Sequence, residues 1–421
     1  MIKIATFQLA ILVIAFLLSS NAYSQTCPAS PGCLDPTFGN GGTIIYQNTT
    51  LNSVPIGLAS QSDGKLVALV IGDNKLMRMN ADGSLDPSFG AGGTVSISWV
   101  FTSGSTTYLG QAWALAIQNV AGQERIVVVG MGHLANGRKV DQVLRVGRFL
   151  PDGSVDTTFG SSGSVIINSG WSPDVAIQTD GKIVTGPATL VRLNVNGTQD
   201  STFGNGGFIN TGLGTALTID ANGRILTGGG ITIGKGNNTK SVMAVKRYSS
   251  NGAVDAAFGV SGLATADFGN SSVGGQLRVD ALGNIFETGH VNVSANNADT
   301  QHYFAAARFT SNGLADTSFG GTGRVRFVGP IGVGSESVLQ TDGKIVIIGR
   351  LNNDYGLVRY NYDGTVDTGF GNGGSVITHV DGNDNVRSSM LHNDPACACY
   401  KILVGAGGDG TNTSFARFVI E

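Results

Sequence analysis

Residues 82–93 read DGSLDPSFGAGG, and this stretch decides the fold because its central pattern recurs along the whole chain. The pattern is Asp-x-x-Phe-Gly-x-x-Gly. Its seven copies begin at Asp35, Asp86, Asp156, Asp200, Asp255, Asp316 and Asp367, so they start 44 to 70 residues apart. Every copy keeps its phenylalanine and its closing glycine. A recurrence of this period indicates a repeat architecture.

Four short runs with a β pattern lie between successive motifs. In the sixth copy these runs are 324–328, 336–340, 344–349 and 356–361, and Asp342-Gly343 separates the middle two. An Asp-Gly pair between apolar runs is a strong hairpin signal, because a type I′ turn needs positive φ at both central residues. Four antiparallel strands in each of seven units predict an all-β, seven-bladed β-propeller, in which each blade covers its neighbour. An open β-solenoid is the alternative, but its turns are usually shorter than these units.

The N-terminal 24 residues have the pattern of a secretory signal peptide. Lys3 gives a positive start, residues 9–18 an apolar core, and Ala22-Tyr23-Ser24 a small-x-small cleavage site. The apolar core is too short for a membrane-spanning helix. We therefore expect residues 1–24 to be removed and residues 25–421 to form the propeller. The expected location is secreted, periplasmic or at the cell surface, with no membrane span.

Charge argues against two classes of partner. Charged residues make up 13% of the chain, the net charge is −3, and no run of lysine or arginine stands out. Nucleic acids and anionic lipids require a basic surface. Neither is an expected partner.

Two segments carry a resemblance to a known family. Residues 82–95 (DGSLDPSFGAGGTV) and 177–184 (IQTDGKIV) resemble the delta-60 repeat of bacterial extracellular proteins. That family is regarded as propeller-like and has no established general activity, so the resemblance implies fold and export and no particular ligand. The match covers nearly the whole mature chain. The long second copy departs from it, as does the last copy, where 393–399 replaces the Asp-Gly turn.

An arginine stands eight residues before six of the seven motif aspartates. These arginines are Arg78, Arg148, Arg192, Arg247, Arg308 and Arg359. Arg417 has the same place in the last unit, but the chain ends at Glu421 before another motif, and Asp35 has no arginine before it. A partly buried guanidinium and carboxylate stabilise each other, so we expect Arg417 and Asp35 to pair across the junction of the two termini. A ring of anion-binding groups is the alternative.

All four cysteines lie near the ends of the chain, at Cys27, Cys33, Cys397 and Cys399. The turn that holds Cys397 and Cys399 and the loop after Cys33 should emerge on the same face of the ring. We therefore expect two structural disulfides that join one terminus to the other, which an exported protein permits. Local pairing of Cys27 with Cys33 is the alternative, and a zinc site is a third.

Loops of variable length on the face opposite the motifs are the expected place of function, because binding residues commonly lie on loops held by a rigid scaffold. Five aromatic residues fall there in the second and third units. They are Trp99, Phe101, Tyr108, Trp113 and Trp171. They predict a platform for stacking a sugar or a peptide. The alternative is an insertion folded onto its own aromatic side chains.

The last unit carries an oxygen-rich loop at residues 379–385, HVDGNDN. Asp381 and Asp384, together with Asp409 of a nearby loop, predict a calcium site, since Ca²⁺ prefers carboxylate and amide oxygens. Ordinary turn chemistry explains the same residue types equally simply. No other cofactor is predicted.

Catalytic motifs are missing from the sequence, which contains neither a His-Glu-x-x-His zinc motif nor a Gly-x-Ser-x-Gly elbow. The main prediction is a non-catalytic extracellular scaffold that binds a carbohydrate, a peptide or a surface protein. One alternative is a hydrolase or lyase that uses residues of the central channel. Such an enzyme should show several acid, base or metal-binding groups that converge there. A purely structural cell-envelope protein is the other alternative.

Overall fold

The structure is a computed structural model that describes residues 30–47, 53–103, 106–134, 143–168, 174–295, 299–381, 384–394, 397, 399–407 and 412–420. Within these ranges the chain forms seven antiparallel sheets, of which six have four strands and one has five. The innermost strands of successive sheets contact one another all the way round. The predicted seven-bladed β-propeller is therefore confirmed, and seven strands surround a central channel.

Strands are numbered β1 to β29 along the chain, and each blade has four positions from the channel outwards. The innermost strands are β2 (Pro55–Ser60), β7 (Thr106–Val120), β11 (Val175–Ile177), β15 (Ala216–Ile219), β19 (Ser272–Val279), β23 (Gly332–Leu339) and β27 (Asn385–Asp394). The second strands are β3 (Leu66–Val70), β8 (Gln123–Leu134), β12 (Ile183–Thr185), β16 (Ile225–Ile233), β20 (Ile285–Ala295), β24 (Ile345–Leu351) and β28 (Cys399–Gly407). The third strands are β4 (Lys75–Met79), β9 (Val143–Phe149), β13 (Thr189–Leu193), β17 (Lys240–Tyr248), β21 (Asp299–Phe309), β25 (Asp354–Tyr360) and β29 (Asn412–Val419). The outer strands are β5 (Thr94–Ser96), β10 (Ser164–Ile167), β14 (Phe208–Asn210), β18 (Leu263–Ala266), β22 (Arg324–Arg326), β26 (Ser375–Thr378) and β1 (Thr43–Gln47).

Blades 1 to 7 are numbered by their innermost strands, from β2 to β27. The long second copy gives blade 2 a fifth strand, β6 (Val100–Ser103), which pairs with the start of β7. The described helical structure is a single 3-10 turn, Gly236–Asn238. Among the described residues no helix is long and apolar enough to cross a membrane.

The sequence repeat and the blade are offset by one strand. The first β run after each motif pairs with the strand before that motif, so it forms the outer edge of the preceding blade; for example, β22 pairs with β21. The chain then crosses to the innermost strand of the next blade. We call the end of the ring that carries the motif loops the motif face, and the end that carries these crossovers the crossover face. The prediction that the four runs between two motifs form one sheet is therefore wrong by one strand, because the first run belongs to the preceding blade.

Apolar clusters lie between neighbouring blades and form the core. The second strand β3 is buried at all five positions, because blades cover it on both faces. A strand covered on both faces reads as a continuous apolar run and does not alternate. The core thus extends around the ring in wedges between the sheets.

Each motif joins two blades through its arginine. The guanidinium carbon of the motif arginine lies 4.4 to 4.8 Å from the centre of the motif phenylalanine ring in all seven copies. The same arginine donates to the motif aspartate and to a backbone carbonyl of the next blade; Arg359, for example, lies 2.9 Å from Asp367 and 2.7 Å from Ile420 O. These guanidinium groups are buried and fully engaged, so the ring of anion-binding sites is excluded.

A second cation reaches the motif aspartate in five of the seven described copies. It follows the turn between the first two strands, as with Lys344, whose Nζ lies 3.0 Å from Asp367 Oδ2. The equivalent groups are Lys65, Arg125, Lys182 and Lys401. In three of these five copies, the lysine of an Asp-Gly-Lys turn was the sequence signal for this contact.

The ring closes between the two termini in blade 7. Strand β1 pairs with β29 over five residues, and Arg417 Nε lies 2.6 Å from Asp35 Oδ2, the pair expected from the repeat spacing. Gly371 N donates to Pro31 O at 2.9 Å. In the other blades, the equivalent glycine N–H donates to the carbonyl of the Asx-Gly turn of the next blade. The segment just before the first motif therefore completes the blade that the C-terminus begins.

The expected disulfides between the termini are wrong. Cys397 and Cys399 are bonded to each other, so neither can reach Cys33, which is also disulfide-bonded. Cys27 and the signal peptide lie outside the described residues. The two cysteines pair with each other because they are only two residues apart, with Cys397 just after β27 and Cys399 at the start of β28. Hydrogen bonds and ion pairs hold the seam instead.

Candidate functional site in the central channel

Polar side chains from three blades lie close enough along the channel for their charges to act on one another. Asp174 directly precedes β11 in blade 3, Gln276 and Arg278 lie on β19 in blade 5, and Glu336 lies on β23 in blade 6. The charge of Arg278 acts on both Asp174 and Glu336. Blades 3 and 6 are separated by two others, so these groups approach one another across the channel. We call these four residues the channel cluster.

Arg278 holds the cluster to the wall of blade 6. Its Nε and Nη2 donate to Ser337 O at 3.0 and 2.6 Å, and its Nη1 donates to Gln276 Oε1 at 2.9 Å. Gln276 Nε2 lies 3.4 Å from both carboxylate oxygens of Glu336. The arginine is therefore fixed, whereas Glu336 receives only long, weak hydrogen bonds from this amide.

The two carboxyl groups differ in how firmly they are held. Asp174 accepts backbone N–H groups from Val175 at 2.8 Å and Leu217 at 2.9 Å. Burial raises the pKa of Asp174 to about 6, although these bonds and Arg278 oppose the shift. Burial raises the pKa of Glu336 to about 7, against the opposing charge of Arg278 and with a smaller contribution from Asp174. Glu336 is thus the group of the cluster that exchanges a proton near neutral pH.

Two buried hydroxyl groups lie beside the cluster. Ser337 is fully buried and follows Glu336 in β23; the backbone of Ser389 on β27 hydrogen-bonds to Glu336. Neither serine Oγ has a hydrogen-bond partner among the described residues. Buried polar groups are usually paired. Because both hydroxyl oxygens are also shielded from solvent, they do not add to the accessible surface of the channel.

Trp113 lies one residue nearer the crossover face than the strand position that Asp174 and Glu336 occupy in their own blades. It occupies a β-bulge of β7, between Ala112 and Ala114, and the equivalent position of β23 is also bulged. Bulges re-aim side chains and are common beside functional sites. Trp113 is 38% exposed while both neighbours are buried. Because β7 is an innermost strand, Trp113 is an exposed aromatic residue on the inner wall of the ring.

The predicted aromatic platform does not form as a unit. Trp99 is 3% exposed and packs in the core between blades 1 and 2, so it is unavailable for stacking and its assignment as a binding residue is wrong. Its position just after the outer strand β5 lets the indole fill the space between the two sheets. The side chains of Phe101 and Tyr108, and the whole of Trp171, lie outside the described residues. Trp113 is the member whose described side chain is exposed.

Two of the three predicted calcium ligands, Asp381 and Asp384, lie within the described residues. Asp381 Oδ2 accepts a hydrogen bond from Asn412 Nδ2 at 2.7 Å. Asp384 is fully buried and faces Asp354 and His379, and Asp409 lies outside the described residues. The loop therefore brings Asp384 close to His379 of the same loop and to Asp354 of blade 6, and the loop sequence alone did not indicate Asp354.

A sequence signal for the channel cluster did exist. Asp174 and Glu336 each stand four residues before the glutamine that opens the Gln-Thr-Asp-Gly turn. That offset places both acids at the same level of an innermost strand. That the two acids lie near each other also depends on closure of the ring, which cannot be read from a single repeat.

Comparisons with known proteins agree with the fold. The family described as "Domain of unknown function (DUF5122) beta-propeller" matches residues 61–89, 178–203 and 340–370, and each segment runs from the turn glutamine to the motif phenylalanine. This supports a propeller-repeat family; the delta-60 name remains a resemblance. No curated protein matches the sequence.

Several solved structures are similar to the chain at low identity. A virginiamycin B lyase from Staphylococcus aureus is 10% identical with a TM-score of 0.45, covering 89% of this chain and 98% of that one. The Dos1 propeller is 9% identical with a TM-score of 0.46, covering 89% and 94%. An alpha-L-arabinofuranosidase from Fusarium graminearum is 10% identical with a TM-score of 0.44, covering 88% and 97%. Similarity at this level carries no information on activity.

Proposed function

We propose that this chain is an exported, non-catalytic scaffold that binds a neutral, hydroxyl-rich carbohydrate in the central channel, entered from the crossover face. The observation that carries the proposal is the convergence of Asp174, Arg278 and Glu336 from three blades below an exposed Trp113. The signal-peptide pattern supports export. Peptide or surface-protein binding and a purely structural role are the competing functions.

The chemistry of the channel suits a sugar. Carboxylates accept hydrogen bonds from hydroxyl groups, guanidinium and amide groups donate to them, and an indole face stacks on the apolar face of a pyranose. Two carboxyl groups against one arginine disfavour an anionic ligand. Ligand sites commonly combine an apolar surface with a few convergent polar groups.

The test is a glycan array and calorimetry on residues 25–421 with Trp113→Ala and Glu336→Gln. Asp342→Asn is the matched control, because Asp342 is an exposed carboxylate of a turn on the motif face. The proposal expects a glycan that binds the wild type and the control and is lost or weakened at least tenfold in both channel variants. A glycan that binds all four proteins equally, or binding to peptides alone, would contradict it.

A second function, a hydrolase or lyase, is favoured by one specific observation. The pKa of Glu336 is raised to about 7 by burial, and a carboxyl group that is about half protonated at neutral pH can serve as a general acid. Incubating bound glycans with wild type and Glu336→Gln separates the two functions by mass spectrometry. Products formed by wild type alone would support catalysis, and unchanged glycan would support binding.

A further inference from the structure

Three side chains that ligate metals meet on the crossover face between blades 6 and 7. Asp354 begins β25, His379 follows β26, and Asp384 directly precedes β27. His379 Nδ1 lies 2.8 Å from Asp354 Oδ1. One ligand atom from each residue lies within 4.8 Å of the others. On one tetrahedral ion with bonds of about 2.0 to 2.2 Å, ligand atoms lie about 3.3 to 3.6 Å apart. Binding would therefore replace the hydrogen bond between His379 and Asp354 and draw the more widely spaced ligand atoms together.

The backbone fixes the two aspartates before any ion binds. Asn352 and Asn353 have positive φ, 51° and 73°, and form the two-residue turn that leads into Asp354. Asp384 N donates to Asn353 O at 2.9 Å, which joins the crossover segment to this hairpin. The His379 side chain is 64% exposed and can adjust from the solvent side.

Burial of Asp384 is an independent sign of a missing cation. The residue is 0% exposed, and its oxygens accept only the N–H groups of Val380 at 2.9 Å and Asp381 at 3.1 Å. No lysine or arginine of the described residues forms an ion pair with it. Asp35, which is similarly buried, contacts both Arg417 and Lys401. A carboxylate has about four acceptor positions, and buried charges are normally paired or bound to a metal.

We propose that Asp354, His379 and Asp384 bind one Zn²⁺ ion, with a water molecule or an exogenous ligand in the fourth position. Two carboxylates balance the charge of the ion. The imidazole favours Zn²⁺ over Ca²⁺, which takes six to eight oxygen ligands. The site keeps Asp384 of the sequence-based calcium prediction and replaces Asp381 and Asp409. It is independent of the carbohydrate proposal, and the ion would tie the crossover segment to the hairpin of blade 6.

The test uses the full mature protein, treated with a chelator and then titrated with Zn²⁺, Mn²⁺ and Ca²⁺ by calorimetry, with thermal unfolding in parallel. The variants are His379→Ala and Asp384→Asn, and Asp381→Asn is the matched control from the same loop. We expect one Zn²⁺ per chain, tighter than Mn²⁺ and Ca²⁺, and a higher unfolding temperature with Zn²⁺. Loss of a ligand should weaken binding by at least about tenfold, since even outer-shell changes cost 10- to 100-fold.

His379→Ala keeps the test valid if Asp384→Asn fails to fold, because His379 is exposed and its metal-free variant should unfold at the wild-type temperature. Equal Zn²⁺ affinity in His379→Ala would overturn the proposal, as it would place the ion elsewhere. So would Ca²⁺ binding that Asp381→Asn removes, and so would a wild type that binds no Zn²⁺. Loss of Zn²⁺ binding in His379→Ala with retention in Asp381→Asn would support it.

Discussion

The seam between the termini should depend on Asp35 more than blade 4 depends on its own motif aspartate, Asp255. Asp35 is 2% exposed, and its Oδ2 lies 2.6 Å from Arg417 Nε and 2.7 Å from Lys401 Nζ. The matched residue is Asp255 in blade 4, whose side chain is 23% exposed and which pairs with Arg247 alone among the described cations. The perturbation is Asp35→Asn, with Asp255→Asn as the control.

The expected difference follows from the charges left behind. Asp35→Asn leaves Arg417 and Lys401 buried against Asp394 alone, at 3.6 and 2.7 Å. Removing one partner of a buried network costs about 3–5 kcal/mol. Asp255→Asn removes one partly exposed charged hydrogen bond, which costs about 1–2 kcal/mol. A loss of 3 kcal/mol raises the open population of the seam on the order of 100-fold.

The assay is hydrogen exchange with mass spectrometry, supported by guanidinium unfolding. Amide protection should fall in β1 and β29 of Asp35→Asn and should stay near wild type in those strands of Asp255→Asn. Burial alone would raise the pKa of Asp35, but hydrogen bonds from Lys401 and Thr37 and the charge of Arg417 outweigh burial and lower it. The wild-type seam therefore keeps its full stability above pH about 4 and loses it as pH falls further. Equal stability losses in the two variants, or unchanged protection of β1, would refute the reasoning.

Three further predictions concern packing, a buried acid and the turn disulfide. Phe159→Ala should cost about 3–5 kcal/mol of unfolding free energy, because the ring is fully buried. Gly197→Ala is also destabilising, since the φ of Gly197 is +89° and a Cβ would lie 3.0 Å from that ring. In guanidinium unfolding, the double variant should lose less stability than the sum of the two single losses. Burial raises the pKa of Glu287 well above its usual value, so this acid is neutral in the fold and the wild type should lose stability as pH rises above about 4.5; a Glu287→Gln variant whose thermal unfolding shows the same loss between pH 5 and 8 would contradict this. Replacing Cys397 and Cys399 by serine should cost about 1–2 kcal/mol, because the disulfide closes a very short loop, and a larger loss in denaturant unfolding would mean that it supports the seam.

The sequence predicts the ring well because short-range sequence features specify each blade, and these features recur seven times. Asp342-Gly343 indicates its hairpin without knowledge of any other residue, and the spacing of Arg359 to Asp367 is set within one blade. Pairing of Arg417 with Asp35 follows by applying that spacing to the two incomplete ends. Such features need only short-range geometry and the assumption that the units are alike.

The candidate site was harder to predict because it depends on departures from the repeat. Trp99 belongs to a variable connection, and its burial is decided by the space between two blades. Asp174 and Glu336 are far apart in sequence, and closure of the ring brings their strands to the same channel. His379 and Asp384 approach Asp354 because a tight turn places that aspartate beside the crossover. None of these distances is encoded in a single unit.

The innermost strands show where the ring leaves room for function. Four residues before the turn that ends each of these strands, the seven blades carry Gly57, Ala114, Asp174, Ala216, Gln276, Glu336 and Ser388. Blades 1, 2 and 4 build the same sheet with glycine or alanine at this level, so a blade does not need a carboxyl group there. Burial raises the pKa of both acids, which means that their ionised forms are held at a cost in stability. The fold does not require Asp174 and Glu336, and their ionised forms reduce its stability. A ligand is the best explanation for residues of this kind.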